Sequence, residues 1–277
     1  MTVSRERVAV VGHPVSHSLS PAIHNAAFAA AGLPWEMIAQ DVSPEDGPGL
    51  VAAAREQGLR GLAVTMPHKV VVAETVDSLD PAASALRSVN TVVFADGTAH
   101  GLSTDGDGFV DSLRAAGHDP AGTTVVLIGA GAAARSIIDG LSRAGAARVL
   151  ISNRTPAAAE EAARLASVAE AVESGGVAAA IAAADIVVNT TSVGMGADSD
   201  SCPIEPSLLT GAHVVVDIVY HPLETALLRA AAERGAATVD GLGMLVHQAC
   251  RQQIAWTGIA PDPIALRAAA LAELAHR

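Results

Sequence analysis

One stretch of apolar, β-branched residues followed at once by small residues constrains the fold of this 277-residue chain more than any other. Residues 124–128 read Thr-Val-Val-Leu-Ile and predict a short buried strand. The GxGxxA sequence at 129–134 then opens a helix, and a second strand is predicted over 148–152. This order predicts a βαβ unit of the dinucleotide-binding type. The alternative is a glycine- and alanine-rich turn that only lets a helix pack closely.

The end of the second predicted strand indicates which dinucleotide would bind. An NAD site usually places Asp or Glu there, against the ribose 2′-hydroxyl. Residues 152–155 read Ser-Asn-Arg-Thr and contain no acid. The guanidinium of Arg154 suits a 2′-phosphate through paired charge-assisted hydrogen bonds. We therefore expect NADP(H), and the alternative for Arg154 is a solvated residue at a strand end.

A second strand-to-helix junction lies in the stretch 61–69, Gly-Leu-Ala-Val-Thr-Met-Pro-His-Lys. Residues 62–65 predict a short buried strand, and Pro67 suits the first turn of a helix. Thr65 and Lys69 then stand on either side of the turn. Ligands of open α/β sheets lie outside the carboxyl ends of the strands, so a hydroxyl and an ammonium would face a small molecule. The alternative is a solvated lysine.

Two further junctions carry polar residues. Ser20 followed by Pro21 predicts a helix start, with the serine as the cap and the proline in the first position. Ser18 and Ser20 therefore lie at a helix N-terminus, which favours an anion. Capping alone would explain Ser20 but not Ser18. Asp105 also stands where a predicted strand leads into a helix, and helix capping is its alternative role.

The second half of the chain adds candidates of the same kind. Tyr220, the only tyrosine, follows a strand predicted over 214–219. Gly241 and Gly243 would let the backbone approach a ligand closely. Gln248 lies in the helix that follows, where ordinary helix surface is the alternative.

Composition excludes several classes of function. The net charge of −12 disfavours nucleic-acid binding, so any phosphate group would be held by local donors. No apolar run is long enough to span a bilayer, so no membrane partner is expected. The two cysteines form no CxxC pair, which favours a reducing, cytoplasmic setting. Because no HExxH or Cys/His cluster occurs, we assign no metal.

Taken together, these stretches resemble the shikimate dehydrogenase family, a group of NADP-dependent enzymes. The similarity covers essentially the whole chain and keeps the order of the motifs. These motifs are Ser18–Pro21, Val64–Lys69, Val89–Thr91, Thr104–Asp105 with Gly108–Phe109, the Gly129 loop, Asn153–Thr155, Asp217 with Tyr220, and Gly241–Gln248.

The resemblance implies a two-domain α/β fold with a cleft between the domains. An N-terminal α/β substrate-binding domain would be discontinuous, over 1–104 with 242–277. A Rossmann-type dinucleotide-binding domain would cover 105–241. The implied reaction is the reversible NADPH-dependent reduction of 3-dehydroshikimate to shikimate in aromatic amino acid (chorismate) biosynthesis. The implied partner is this small-molecule substrate, and the implied assembly is a monomer or a homodimer.

The resemblance also implies roles for individual residues. Lys69 and Asp105 would be catalytic. Substrate contacts would come from Ser18, Ser20, Thr65, Asn90, Tyr220 and Gln248. Cofactor contacts would come from Gly129, Ala130, Gly131, Ala132, Ala133, Asn153, Arg154, Thr155, Thr190, Ser192, Ile218, Gly241 and Met244.

Two positions depart from the family pattern, since Ala63 and Ser103 stand where asparagine is usual. They leave open quinate or an amino analogue as the substrate. The alternative from another class is a non-catalytic nucleotide- or metabolite-binding regulator of the same fold. The presence of both Lys69 and Asp105 favours the enzyme, whether Lys69 acts as the acid and base itself or mainly through its charge.

Overall fold

The structure, a computed structural model that describes residues 5–173 and 175–276, divides into two compact units. The first contains the chain up to Thr104 and from Val246 onward, and the second contains Asp105–Leu245. The predicted two-domain α/β architecture is confirmed. The domain boundaries given above stay a prediction. In the described part of the chain, no helix is both long and apolar enough to cross a membrane.

The first unit contains a mixed sheet, in which the described residues form six strands in the order β2-β1-β3-β5-β6-β4. The strands are β1 (Glu6–Gly12), β2 (Trp35–Asp41), β3 (Gly61–Val64), β4 (Ser78–Leu79), β5 (Thr91–Ala95) and β6 (Thr98–Leu102). The helices between them are α1 (Ser20–Ala30), α2 (Leu50–Glu56), α3 (Lys69–Thr75) and α4 (Pro81–Leu86).

Strand direction brings separate segments of this sheet to one edge. Strands β1, β2 and β3 are parallel, so their carboxyl ends lie together. Strand β5 runs antiparallel to β3, with Ala63 opposite Thr91, so the start of β5 lies beside the end of β3. Asp96 and Gly97 have φ values of 50° and 79° and form the hairpin turn into β6, which an Asp-Gly pair between two strands favours. The end of β6 thereby returns to the same edge.

The second unit contains a parallel sheet with the order β12-β11-β10-β7-β8-β9 for the strands described. Its strands are β7 (Thr124–Ile128), β8 (Arg148–Ser152), β9 (Ala169–Ala171), β10 (Ile186–Asn189), β11 (Val214–Asp217) and β12 (Ala237–Val239). The remaining helices of the chain are α5 (Asp105–Ala115), α6 (Ala132–Arg143), α7 (Pro156–Ala163), α8 (Val177–Ala182), α9 (Ala226–Glu233), α10 (Gly241–Thr257) and α11 (Pro263–Ala275). This is the doubly wound order, which reverses between β7 and β10.

The core of the second unit explains why β7 reads as an uninterrupted apolar run. Val125 and Leu127 belong to one buried cluster, and Val126 and Ile128 belong to another. Successive side chains of a strand point to opposite faces, so both faces of the sheet are covered and Val125–Ile128 are all buried. The carboxyl end of β7 is thereby held rigidly where the glycine turn begins.

Two local predictions are wrong. Ser20 does not cap α1, because Leu19 occupies the cap position and no side-chain cap bond forms there. Pro67 does not start a helix, since α3 begins at Lys69 and residues 66–68 form a separate turn. The N–H of His68 donates to the carbonyl of Thr65 over 3.0 Å, which closes this turn before the helix starts.

Candidate active site

The ends of β3, β5 and β6 place three predicted site segments side by side in the first unit. The N–H of Val64 donates to the carbonyl of Asn90 over 2.7 Å, and the N–H of Asn90 donates to the carbonyl of Leu102 over 3.1 Å. Thr65, the start of β5 and Thr104 therefore meet at one edge of the sheet. These main-chain hydrogen bonds fix the positions of the three segments relative to one another without a ligand.

Asn90 is the centre of a buried polar network. Its Oδ1 accepts from the N–H of Thr104 over 2.9 Å and from the hydroxyl of Thr91 over 2.8 Å. Its Nδ2 donates to Oγ1 of Thr104 over 2.9 Å and lies 3.5 Å from Oε1 of Gln248. The structure thus brings Asn90 and Gln248 together from positions far apart in the sequence, and both side chains are buried.

Gln252 extends this network and was not predicted as a site residue. Its Nε2 donates to the carbonyl of Asn90 over 3.2 Å and to Oγ1 of Thr91 over 3.1 Å. Its Oε1 lies 3.2 Å from Nε2 of His24 on α1. Gln248 and Gln252 are four residues apart and so share one face of α10, a spacing that could have indicated this pair.

His24 has an electrostatic consequence for the fold. The side chain is fully buried, packed near Phe28 and Trp256. Burial lowers its pKa from 6.5 to about 4, although the hydrogen bond to Gln252 opposes the shift. A histidine whose folded pKa is depressed stays neutral in the folded state and takes up a proton on unfolding. Stability is therefore full above pH 6.5 and falls as the pH drops from 6.5 towards 4.

We expect the free energy of unfolding to fall by about 2 kcal/mol between pH 7 and pH 5 through His24 alone. The measurement is urea unfolding followed by tryptophan fluorescence, since both tryptophans, Trp35 and Trp256, lie in the first unit. His24→Gln removes the titration and should flatten this part of the pH dependence. His276→Gln, at an exposed histidine, is the control and should leave it unchanged. An identical pH dependence for wild type and His24→Gln would contradict this role.

The turn that carries Thr65 and Lys69 is held on both sides. The N–H of Thr65 donates to the carbonyl of Val11 over 2.9 Å, and the carbonyl of Lys69 accepts from the N–H of Val89 over 2.9 Å. A Cβ at Gly12 would clash with the methyl group of Thr65, so only glycine allows β1 and this turn to approach so closely. Lys69, half-buried, is the first residue of α3.

The two predicted serines lie together at the start of α1. The Oγ of Ser18 accepts from the N–H of Ser20 over 3.2 Å. The N–H of Ser18 donates to the carbonyl of Val15 over 2.9 Å. Ser18, rather than Ser20, therefore satisfies an N–H group at this helix end. Two hydroxyls beside a helix N-terminus form an arrangement suited to an anion.

The glycine turn of the second unit has the geometry that a phosphate-binding loop requires. Gly129 has φ +115°, and a Cβ there would lie 2.5 Å from Oγ1 of Thr190. That hydroxyl donates to the carbonyl of Ile128 over 2.8 Å. Gly131 precedes α6, whose first turn contains Ala132 and Ala133. The first N–H groups of a helix have no partner within it, so backbone donors are available here.

A cavity of about 630 Å³ lies against this turn. The predicted cofactor residues that line it are Gly129, Asn153, Arg154, Thr155 and Ser192. Nδ2 of Asn153 donates to the carbonyl of Thr155 over 3.0 Å and so stiffens the end of β8.

Arg154 is an exposed cation at the cavity wall. Its guanidinium takes part in none of the hydrogen bonds or ion pairs found among residues 5–173 and 175–276. Glu173, which follows β9, lines the same cavity and was missed by the sequence analysis. Glu173 follows β9 and not β8, so it is not the acid that an NAD site places at the end of the second strand. The end of β8 carries Arg154 and no acid.

A second buried network supports the loops on the other side of β7. Nδ2 of Asn189 donates to Oδ1 of Asp217 over 2.9 Å, and its Oδ1 accepts from the N–H and the hydroxyl of Thr191. Asp217 also accepts from the N–H of Val219 and the hydroxyl of Thr225. Burial raises the pKa of Asp217, and these donors oppose the rise. Asp217 thus connects the 190–192 loop to the segment that leads to Tyr220.

The remaining predicted residues of the second unit follow its strands or lie in its helices. Ile218 follows β11, and Gly241 approaches the carbonyls of Ile218 and Val219 so closely that any Cβ would clash. Met244 packs against the apolar core together with Ala130. Tyr220 is half-buried just beyond β11, and Asp105 is the first residue of α5. The two catalytic candidates therefore belong to different units, Lys69 to the first and Asp105 to the second.

The two departures from the family pattern are both buried. Ala63 lies in a core cluster with Val8, Val10 and Trp256, where its methyl group contributes packing. Ser103 lies directly before Thr104 and is also inaccessible.

The second unit fits a dinucleotide. The glycine turn leaves room that a side chain would fill, α6 offers N–H groups with no partner inside the helix, and the Arg154 guanidinium at the end of β8 pairs with none of the described residues. Among the described residues, no group of three or more His, Cys, Asp or Glu side chains could hold a metal ion.

Comparison with known proteins finds the same combination of units. The model of the shikimate dehydrogenase substrate binding domain matches residues 10–92, and that of shikimate / quinate 5-dehydrogenase matches residues 113–196. A shikimate dehydrogenase (NADP(+)) of Rubrobacter xylanophilus is 46% identical over 95% of this chain and 94% of its own.

Two solved structures illustrate the range of similar folds. Shikimate 5-dehydrogenase of Thermus thermophilus, in complex with NADP(H) and shikimate, has a TM-score of 0.89 and 35% identity, covering 96% of this chain and 99% of that one. Quinate dehydrogenase of Corynebacterium glutamicum, in complex with NAD, has a TM-score of 0.90 and 31% identity, covering 97% and 99%. The predicted family and fold class are confirmed.

Proposed function

The chain belongs to the shikimate dehydrogenase family, and on that premise we propose that it catalyses the NADPH-dependent reduction of 3-dehydroshikimate to shikimate and the reverse reaction. The observation that carries this proposal is the edge of the first sheet, where the turn with Thr65 and Lys69 follows β3 and Asn90 lies beside the end of that strand, with its side chain against Gln248. A hydroxyl, two amides and an ammonium suit a ring that bears hydroxyl groups and a carbonyl.

The substrate carboxylate and the ring would use different groups. We assign the carboxylate to Ser18 and Ser20 at the start of α1, with Tyr220 as a further donor. The ring hydroxyls fall to Thr65, Asn90 and Gln248. The support for this division is chemical, because hydroxyls beside a helix N-terminus favour an anion and amides pair with hydroxyls.

In the proposed chemistry, Lys69 stabilises negative charge on the substrate and donates a proton. When bound, NADPH supplies a hydride to the carbonyl carbon of the substrate. Negative charge then develops on the carbonyl oxygen, where the Lys69 ammonium would stabilise it and deliver a proton. Asp105 is the second residue to which we assign a catalytic role. Lys69 is the only lysine among the 17 lysine and arginine residues of the chain, and lysine differs from arginine in being able to release its proton.

The cofactor proposal is NADP(H), held by the second unit. The turn at Gly129 and the start of α6 would bind the pyrophosphate, and Asn153, Arg154 and Thr155 would bind the 2′-phosphate. Thr190, Ser192, Ile218, Gly241 and Met244 would contact the remainder of the dinucleotide. The relatives named as NADP(+) enzymes support this choice.

We expect shikimate to be oxidised with a higher kcat/KM than quinate. Neither Ala63 nor Ser103 offers space, because both are buried, and an additional ring hydroxyl would need both room and a partner. Steady-state rates with NADP⁺ and each substrate decide the point. A kcat/KM for quinate that equals or exceeds that for shikimate would favour quinate as the substrate. The similarity to a quinate dehydrogenase is the reason for testing this alternative.

The proposed cellular location is the cytoplasm, and the oligomeric state is also a proposal. Cys202 and Cys250 form no disulfide, which suits a reducing cytoplasmic environment. We propose a monomer or a homodimer, to be measured by light scattering on the purified protein.

A further inference from the structure

We propose that Asp41 is a positioning residue for the substrate carboxylate, because it holds the loop that carries Ser18 and Ser20. This inference rests on the proposed function. Asp41 ends β2, the edge strand of the first sheet, and pairs in register with Gly12 at the end of β1. The loop in question, residues 13–19, begins directly after Gly12 and ends at the start of α1.

Both carboxylate oxygens of Asp41 are used on this loop. Oδ1 lies 2.5 Å from Nδ1 of His13, and Oδ2 accepts from the N–H of Val15 over 3.1 Å. The hydrogen bond from His13 and, next, that from Val15 lower the pKa of Asp41 below its ordinary value. The ionised carboxylate of Asp41 is therefore the form that accepts the hydrogen bonds from His13 and Val15.

A short series of hydrogen bonds leads from Asp41 to the serines. The N–H of Val15 donates to Asp41, and the carbonyl of Val15 accepts from the N–H of Ser18 over 2.9 Å. The hydroxyl of Ser18 then accepts from the N–H of Ser20 over 3.2 Å. Val15 is buried and therefore held firmly, so the hydrogen bond from its N–H to Asp41 helps to fix the main chain to which Ser18 is bonded.

The turn that carries Thr65 and Lys69 has its own supports. The N–H of Thr65 is held by Val11 on β1, and Nε2 of His68 lies 2.8 Å from the carbonyl of Val42. Neither contact uses the Asp41 side chain. The N–H of His13 also donates to the carbonyl of Met66 over 2.9 Å, so one main-chain bond joins the loop to this turn. Because Thr65 and His68 are held independently of the Asp41 side chain, its loss should loosen the carboxylate-binding serines far more than the catalytic lysine.

The test compares Asp41→Ala with Asp77→Ala. Asp77 is a matched control in the same unit, because its carboxylate is also paired, with Arg55 at 2.7 Å, and also accepts a main-chain N–H, that of Ala99. The two side chains are similarly exposed, 49% for Asp41 and 45% for Asp77. Asp77 lies at no predicted site, so its replacement should leave the kinetics unchanged.

Asp41→Ala removes both hydrogen bonds to the loop. We expect the KM for shikimate to rise about tenfold, as if one charge-assisted hydrogen bond from the serines to the substrate carboxylate were lost, and kcat to stay within about threefold. The KM for NADP⁺ should not change. Asp41→Asn retains an acceptor for the N–H of Val15 and should recover part of the loss. His13→Ala should show a smaller rise in KM than Asp41→Ala, because the bond to Val15 survives.

A second substrate separates positioning from general destabilisation. The methyl ester of shikimate has no carboxylate charge, so its kcat/KM should be nearly the same in Asp41→Ala and wild type. The preference for shikimate over the ester should therefore shrink about tenfold in the variant.

An unchanged KM in Asp41→Ala, a lower KM from removal of a negative charge, or the same rise in Asp77→Ala would each overturn the positioning role while leaving the proposed function intact. A wild-type protein without shikimate turnover would overturn the proposed function itself.

Discussion

Replacing Lys69 with alanine should lower kcat by about 10²–10⁴-fold, the usual range for general acid–base assistance, while the KM for shikimate changes only a few-fold. An interaction made mainly in the transition state affects kcat, whereas one made equally in the ground state affects KM. The ammonium of Lys69 is needed mainly when the carbonyl oxygen becomes negative in the transition state. Loss of this group should therefore lower kcat and have little effect on KM.

A conservative variant sharpens this prediction. Lys69→Arg keeps the positive charge but holds its proton too strongly to transfer it. If Lys69 transfers the proton, the arginine variant should be nearly as slow as Lys69→Ala. Near-normal turnover by Lys69→Ala would contradict the catalytic role and return Lys69 to the status of a solvated helix residue.

Asp105 is tested in the same experiment. Asp105→Asn keeps the shape of the side chain but removes its charge, so kcat should fall. Residues that act as one unit are non-additive, so the double variant should be much less than multiplicatively impaired. The measurement is a double-mutant cycle on kcat, with thermal melts as the check on folding. Fully multiplicative effects would show that the two residues act independently.

Replacing Arg154 with alanine should raise the KM for NADP⁺ by about ten- to a hundredfold and leave that for NAD⁺ nearly unchanged. The reason is that the guanidinium lines the cavity beside the glycine turn and has no partner among the described residues, so it is available to a 2′-phosphate. NAD⁺ lacks that phosphate and should not register the loss.

Arg164→Ala provides the matched control for Arg154. Arg164 is also exposed, also belongs to the second unit and lies outside the cavity lining. It should change neither KM. Equal increases for both cofactors in Arg154→Ala would contradict the assignment of the 2′-phosphate, and Glu173 would then become the cavity residue to test.

Local signals explain which features could be predicted from sequence. The Asp96–Gly97 turn, the apolar run of β7 and the glycine turn at Gly129 each depend on a few adjacent residues. Such features need no knowledge of distant contacts. Strands β4 and β9 were missed because two or three residues show no periodicity, and each is held by pairing with a neighbouring strand.

Long-range contacts account for most of what the sequence analysis missed at the site. Gln252 meets Asn90 across 162 positions, and His24 meets Gln252 across 228. The pairing of His13 with Asp41 depends on the register of β1 and β2. The role of each residue follows from a partner that only the folded sheet supplies, so residue type and local spacing were insufficient.

The central claim is tested most directly by initial rates of the purified wild-type protein with shikimate or quinate and NADP⁺ or NAD⁺, in all four pairings. We expect the highest kcat/KM for shikimate with NADP⁺, lower values when either the substrate or the cofactor is exchanged, and the lowest value when both are exchanged. A folded protein with no turnover in any pairing, or one that prefers quinate with NAD⁺, would contradict the central claim.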